Sequence, residues 1–368
     1  SPREEDTMRT RGLILILLFQ TGILFAQTKG VPRNIIIMIG DGMGVSQVTA
    51  GRTLKGALAL DKFKTLGLLL THAAGKDYIT DSAAGATALA AGVKTYNGAI
   101  GVGPDTVAVE NVFERAKKRG KKTGVVASCS ITHATPACFV AHVPFRRMEL
   151  EIADQISQGS TDVFLGGGWG WFLPESLGGR RKDRRNLIDV MEKRGYAYVS
   201  NEAQFHTLNL NVPHKVLGLF AENQVDSAQA RKPSLREMTA SALKSLSRSD
   251  SGFVLMIEGS QIDWASHDHK SDQAMVEMAD FDDAIGEIVD FANRDKRTLV
   301  IVTADHETGG YSLVGGSLES GTVTGKFTTG GHTAAMVPLF ALGPGSARFA
   351  GIQQNSHVGA LLLELLKQ

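Results

Sequence analysis

The sequence has almost no net charge and almost no cysteine. Lys and Arg number 39 against 38 Asp and Glu in 368 residues, a formal net charge of +1. That balance gives no electrostatic reason to bind nucleic acid or an anionic membrane, both of which select a basic surplus. The only two cysteines are Cys129 and Cys138. They could pair in an oxidising compartment, but two unpaired small hydrophobes is the favoured reading. Internal repeats, low-complexity tracts and a recognisable linker are also missing, so one domain is the better division of the chain.

Long apolar runs are equally scarce. Residues 13–26 form one, behind the basic stretch Met8-Arg9-Thr10-Arg11-Gly12, and end on the small residue Ala26. This is the pattern of a secretory leader, and the run is too short to span a bilayer comfortably. Residues 1–7 then precede the start at Met8 as an upstream extension. Residues 1–26 are set apart as extension plus signal peptide, and 27–368 are read as one catalytic domain. The expectation is a secreted or periplasmic protein, with no stable membrane association once the leader is removed.

What the chain does have is glycine, 41 residues of it, and with that many tight turns. The runs at 34–39 (NIIIMI), 253–257 (FVLMI) and 298–302 (TLVIV) are apolar throughout, as strands buried on both faces are. Further strands are predicted at 66–71, 123–127, 162–165, 196–199, 216–220 and 337–341. Helices are predicted from about 46 onward, and at 108–119, 186–194, 235–246, 273–291 and 357–367. The stretch 178–185 (GGRRKDRR) reads as a solvated basic loop, and 311–331 as a hairpin or excursion. The alternation predicts an α/β fold, a three-layer sandwich with a large, mostly parallel central sheet and helices on both faces.

Chemistry concentrates in a few places. Residues 77–92 read DYITDSAAGATALAAG, which sets Ser82 at the mouth of an alanine-rich helix stopped by Gly92. Free backbone N–H groups and the positive dipole end favour an anion there, and a hydroxyl so placed can act as a nucleophile. On local sequence alone, capping by Asp81 or Ser82 is the commoner use. Three of the buried strands end in acids: Asp41, Glu258 and Asp305. Open α/β sheets bind ligands beyond their strand carboxyl ends, and converging carboxylates repel unless a cation balances them. Asp263 and His267 stand four apart, on one face if helical. His306 adjoins Asp305, and glycines flank His332. Oxygen and nitrogen donors of this kind suit zinc, or magnesium where oxygens dominate. His72, His142 and His269 read as packing or surface residues.

Taken in order, several motifs resemble the alkaline phosphatase family. They are Gly40-Asp41-Gly42-Met43-Gly44, Thr80-Asp81-Ser82-Ala83-Ala84, Thr132-His133-Ala134-Thr135-Pro136-Ala137, Ala141-His142-Val143-Pro144-Phe145-Arg146, residues 258–267, Thr303-Ala304-Asp305-His306-Glu307-Thr308-Gly309-Gly310 and Gly331-His332. The resemblance implies a phosphate monoester hydrolase working through a phosphoserine on Ser82, with two zinc ions and one magnesium ion. Asp263, His267 and His332 would hold one zinc, and Asp41, Asp305 and His306 the other. Asp41, Thr135 and Glu258 would bind the magnesium. Arg146 would clamp the phosphate through its planar fork, with Arg147 as the fallback, and Asp81 would support it.

His133 and Trp264 depart from the best-known bacterial pattern, which has aspartate and lysine there, and resemble a cold-adapted or marine subgroup. They imply a looser magnesium site and weaker phosphate retention. Residues 311–330 leave room only for a reduced version of the family's crown excursion. The family is usually homodimeric. Two readings compete with this one: a phosphodiesterase of the same superfamily, commonly with threonine as nucleophile, and a phosphate- or metal-binding protein without turnover.

Overall fold

The computed structural model describes residues 30–209 and 215–367. The extension and leader lie outside them. The apolar runs form strands: β1 (Asn34–Gly40), β2 (Thr65–Leu70), β3 (Lys122–Ser130), β4 (Val163–Gly167), β5 (Tyr196–Val199), β6 (Lys215–Leu219), β7 (Phe253–Gly259) and β8 (Thr298–Thr303). After β8 the chain makes two small antiparallel pairs. β9 (Glu307–Thr308) pairs with β12 (His332–Thr333), and β10 (Ser312–Ser317) pairs with β11 (Thr322–Lys326) as a hairpin. It then returns as β13 (Val337–Leu342) and β14 (Gly351–Gln354).

One ten-stranded sheet results, in the order β14-β2-β13-β8-β1-β7-β3-β4-β6-β5. Its ladders are parallel except around β13, which runs antiparallel to both neighbours. β1, β7 and β8 are buried at every position, as their uninterrupted apolar runs require. In register, Ile39 stands opposite Glu258 on one side and Thr303 on the other. The carboxyl ends of the three central strands are therefore level, and Asp41, Glu258 and Asp305 emerge at one sheet edge.

Helices cover the sheet. Leu235–Leu246 and Ser271–Asp295 pack on each other and against the strands, as do Ser82–Ala91 and Asn355–Leu365 on each other. All ten residues of Ser82–Ala91 are buried, which explains why they are nearly all small. A Cβ at Gly85 would sit 2.9 Å from the carbonyl oxygen of Asp305. The serine helix thus lies directly on the strand end that carries a site acid. Its other end is clamped: Gly92 takes the left-handed C-cap conformation, and Gly359 of the closing helix abuts it.

Four local expectations change. The helix expected over 108–119 runs only Val112–Lys118, because the Asn111 side chain caps it by accepting from the N–H groups of Phe113 and Glu114. The helix Glu149–Gln158 and the edge strand β14 had no prediction. The basic loop 178–185 is not wholly solvated. Arg181 is buried, with its guanidinium on both carboxylate oxygens of Asp154 and donating to the carbonyls of Leu150 and Trp171. Cys129 lies within β3 rather than after it, and both cysteines are buried and unpaired.

The clamp on the serine helix yields a test. Alanine at an open helical position gains about 1 kcal/mol over glycine. At position 359 its Cβ would lie 2.4 Å from the Gly92 nitrogen, where overpacking of about 3 kcal/mol outweighs that gain. Gly359→Ala is expected to lower the unfolding free energy by about 2 kcal/mol in a denaturant titration. A stabilised variant would show that the two helices are not clamped.

Candidate active site

Asp81 ends the extended approach to the serine helix and caps it, one carboxylate oxygen accepting from the Ala84 N–H at 3.0 Å. The other oxygen accepts from the Gly98 N–H and pairs with the Arg146 guanidinium, both at 3.0 Å. Arg146 also donates to the His133 ring at 3.3 Å. Arg147 is exposed and lies over the Phe145 ring, so Arg146 is the arginine that faces the site. One residue into the helix, Ser82 is 2% exposed and its hydroxyl lies 3.2 Å from His306 Nε2.

Around this hydroxyl the side chains fall into groups that could each hold a cation. Asp41, Asp305 and His306 form one, fully buried, with His306 Nε2 3.5 Å from Asp41 and 3.3 Å from Asp305. Asp263, His267 and His332 form the second, with Asp263 Oδ1 3.3 Å from His267 Nε2 and 3.7 Å from His332 Nε2. The His306 and His332 rings stack at 3.5 Å between centroids, so the two groups share a wall. Glu258 stands in a third group, with His133 and Cys129. Thr135 follows close by, with its hydroxyl buried and unpaired.

The donor atoms fit divalent cations. Both oxygens of Asp41, Asp305 Oδ2 and Glu258 Oε1 are buried without a hydrogen-bond partner, a costly arrangement that a cation would relieve. The histidines are oriented for ligation. His267 Nδ1 meets the Gly330 carbonyl at 2.6 Å, and His332 Nδ1 meets the Thr80 carbonyl at 2.9 Å. An Nδ1–H donated to a carbonyl leaves the lone pair on Nε2, which faces the group.

Protonation follows from burial and neighbours. Burial and the surrounding acids push Asp41 well up, and burial raises Asp305 to about 6 and Glu258 to about 7. Burial lowers His306 to about 4, so it is neutral near pH 7. Burial and then Arg146 lower His133 to about 3. Burial opposes ionisation of Asp263, but the His267 hydrogen bond and three nearby imidazoles hold it well below the carboxylate range. The same hydrogen bond lifts His267 to about 9.

The candidate ligands, Ser82, Asp81, Arg146, His133 and Trp264 all lie in this cluster or touch it. Trp264 meets the His133 ring edge-on at 5.9 Å. His142 instead pairs with Glu114, and His269 stacks on Phe327. Sequence reasoning missed three residues. Thr308 donates its hydroxyl to Asp263 and receives His306 Nδ1 at 3.2 Å, linking the two groups. Glu307 accepts from the N–H groups of Gly310 and Tyr311 and from Gln47 and Thr333, holding the loops that carry His332. The third is Cys129, which sequence alone makes a small packing hydrophobe. Its signal was position, since β3 runs beside β7 with Ala127 opposite Glu258.

The fold and these groups define a metal-binding α/β protein with a buried serine at the mouth of a helix. The chain belongs to the alkaline phosphatase family, whose model matches residues 32–326. It is 44% identical over 306 residues to alkaline phosphatase 4 of Bacillus subtilis, covering 78% of this chain and 64% of that protein. It thus spans just under two thirds of that relative's length. Against Escherichia coli alkaline phosphatase it is 31% identical over 409 residues, covering 92% of this chain and 87% of the other. Among solved structures, the alkaline phosphatase of the Antarctic bacterium TAB5 superposes with a TM-score of 0.83 at 38% identity, covering 92% and 98% of the two chains. A variant of that enzyme with a histidine replaced by aspartate has magnesium bound in its M3 site.

Two outcomes are expected. Thr308→Val removes the hydroxyl between Asp263 and His306, and should weaken zinc binding about 10- to 100-fold, as loss of ligand-orienting partners does. Thr308→Ser should restore it, as read by competition with a chromogenic chelator. A serine variant no better than valine would make Thr308 a packing residue. In metal-stripped protein, His267 holds up to about pH 9 a proton that the unfolded chain releases near 6.5. Stability should therefore fall between about pH 6.5 and 9, and added zinc should reverse the fall. Melting temperatures across that range, with and without metal, check the sign.

Proposed function

We propose that this chain is an alkaline phosphatase: a phosphate monoester hydrolase that works through a phosphoserine on Ser82. One observation carries the reading. The Ser82 hydroxyl sits at a helix N-terminus, 3.2 Å from a metal-type histidine and beside two groups of Asp and His ligands. Zinc ions held by Asp263, His267 and His332 and by Asp41, Asp305 and His306 would stabilise the entering and leaving oxygens of an in-line displacement. Asp41, Thr135 and Glu258 would hold a third cation, magnesium in the family pattern.

The chain's own groups do the rest. Arg146, aimed by Asp81, presents its planar fork to two phosphate oxygens. The N–H groups of the first helical turn face the same anion. The Ser82 oxygen forms a bond to phosphorus as the ester oxygen leaves, and water then cleaves the phosphoserine and restores the hydroxyl. Because the phosphoryl group itself is recognised, a broad range of monoesters is accepted, with no specific binding of nucleic acid. His133 and Trp264 stand beside Arg146 and modulate phosphate retention, as in the cold-adapted subgroup. By the same resemblance the chain works outside the cytoplasm as a single-domain homodimer. Exposed apolar side chains at the sheet edge, Leu66 and Ile352 with Val45, support self-association. Among the described residues no helix is long and apolar enough to cross a membrane.

Turnover of p-nitrophenyl phosphate and of bis-p-nitrophenyl phosphate at alkaline pH tests the reading. The monoester should be strongly preferred, a chelator should abolish activity, and Ser82→Ala should lower kcat by about 10⁴-fold or more. A diester preference would make the chain a phosphodiesterase, and no turnover would make it a binder.

A further inference from the structure

Cys129 is not placed like a packing thiol. It is fully buried on β3, yet its sulfur points at the site acid of β7, 3.2 Å from Glu258 Oε2. The thiol, a His133 ring nitrogen and a Glu258 oxygen all lie within 4.8 Å of one another. Zinc with sulfur at about 2.3 Å and nitrogen or oxygen at about 2.0–2.2 Å draws its donors somewhat closer than this limit. Two further donors are at hand, the hydroxyl of Thr135 and the carboxylate of Asp41, each fully buried and without a hydrogen-bond partner. By contrast Cys138, the other cysteine, rests against the Thr87 hydroxyl and the Ala83 carbonyl, away from these groups.

We propose that the third cation site is thiophilic, with Cys129, His133 and Glu258 binding zinc in preference to magnesium. This rests on the reading of Glu258 as a cation ligand and deepens it. Magnesium takes oxygen donors in an octahedral shell and keeps several waters. A thiolate and an imidazole offer it little, whereas a sulfur, nitrogen and oxygen set is a zinc set. The ligands need no backbone movement to be presented. Cys129 and Glu258 lie on adjacent strands, Cys129 two residues past the Ala127–Glu258 pair where β3 shifts register against β4, and His133 caps the helix Ala134–Ala137 three residues after β3 ends. Zinc binding would release the thiol proton to solvent and form a metal–sulfur bond, with no change of oxidation state.

Cobalt(II) substitution reads this directly, because a thiolate ligand gives cobalt an intense near-ultraviolet charge-transfer band. Metal-stripped full-length protein is titrated with cobalt chloride, then challenged with magnesium or zinc chloride. Cobalt is added until all three sites are filled; one of the three equivalents should develop the band, a thousand-fold excess of magnesium should leave it, and zinc should remove it. Cys129→Ser should lose the band and bind zinc at that site at least about 10-fold more weakly. Cys138→Ser should keep the band, which holds the test open if the Cys129 variant does not fold. No band, a band that survives Cys129→Ser, or ready displacement by magnesium would each overturn the proposal. Turnover of p-nitrophenyl phosphate by the unaltered protein is measured alongside. It reports on Ser82 separately, since the band does not require turnover.

Discussion

Four buried carboxylates crowd one sheet edge, and the rest of the site is arranged around their charge. Asp41, Glu258 and Asp305 converge because β8, β1 and β7 are neighbours with their ends in register, and Asp263 follows on the next helix. Each buried charge costs several kcal/mol unless paired, and like charges this close do not all ionise unaided. Burial and mutual repulsion accordingly drive three of the four upward in pKa. Only Asp263 stays low, because imidazoles surround it. A site that keeps its acids in this condition is built for cations of higher charge than a histidine carries.

Given that charge, the geometry has to be rigid, and backbone provides much of the rigidity. The carbonyls of Thr80 and Gly330 fix the rings of His332 and His267. The Thr80 contact also ties the ligand loop to the residue just before the Asp81-Ser82 pair. Thr308 then joins Asp263 to His306, and Glu307 fastens the turn beneath them. The serine helix can approach this assembly only because it is made of small residues. Gly85 lets it rest on the Asp305 backbone, and Gly359 lets the closing helix press on its far end. The run of small residues at 82–92 is thus a packing requirement imposed by the site.

Features that depend on one element were legible in the sequence. Apolar runs announced β1, β7 and β8, the acids at their ends announced the site edge, and the family resemblance named the residues that the fold gathers as Asp263, His267, His332 and as Asp41, Asp305, His306. Features set by contacts between distant segments were not. The helix at Val112 starts late because Asn111 caps it, a choice that periodicity cannot see. Arg181 looked solvated among its basic neighbours, yet Asp154, 27 residues away, draws it inward. β14 has a mixed, partly exposed sequence and is a strand only because β2 offers it a free edge. Cys129 and Thr308 look ordinary until β7 and the helix Gln261–His267 are laid beside them.

The same long-range placement sets the state of Arg146. Its guanidinium is shared between Asp81, at 3.0 Å, and the His133 ring, at 3.3 Å. A neutral imidazole has a single lone pair, and here Nε2 spends it on Arg146 while Nδ1 is buried without a partner. His133 can therefore accept from Arg146 or ligate a cation, but not both. If the third site holds a cation as proposed, its occupation and the release of Arg146 toward a phosphate would be two sides of one choice made by one ring. An aspartate at that position, with several lone pairs, could serve both neighbours at once. On the proposed function, histidine would make the grip on phosphate depend on whether the neighbouring cation is present.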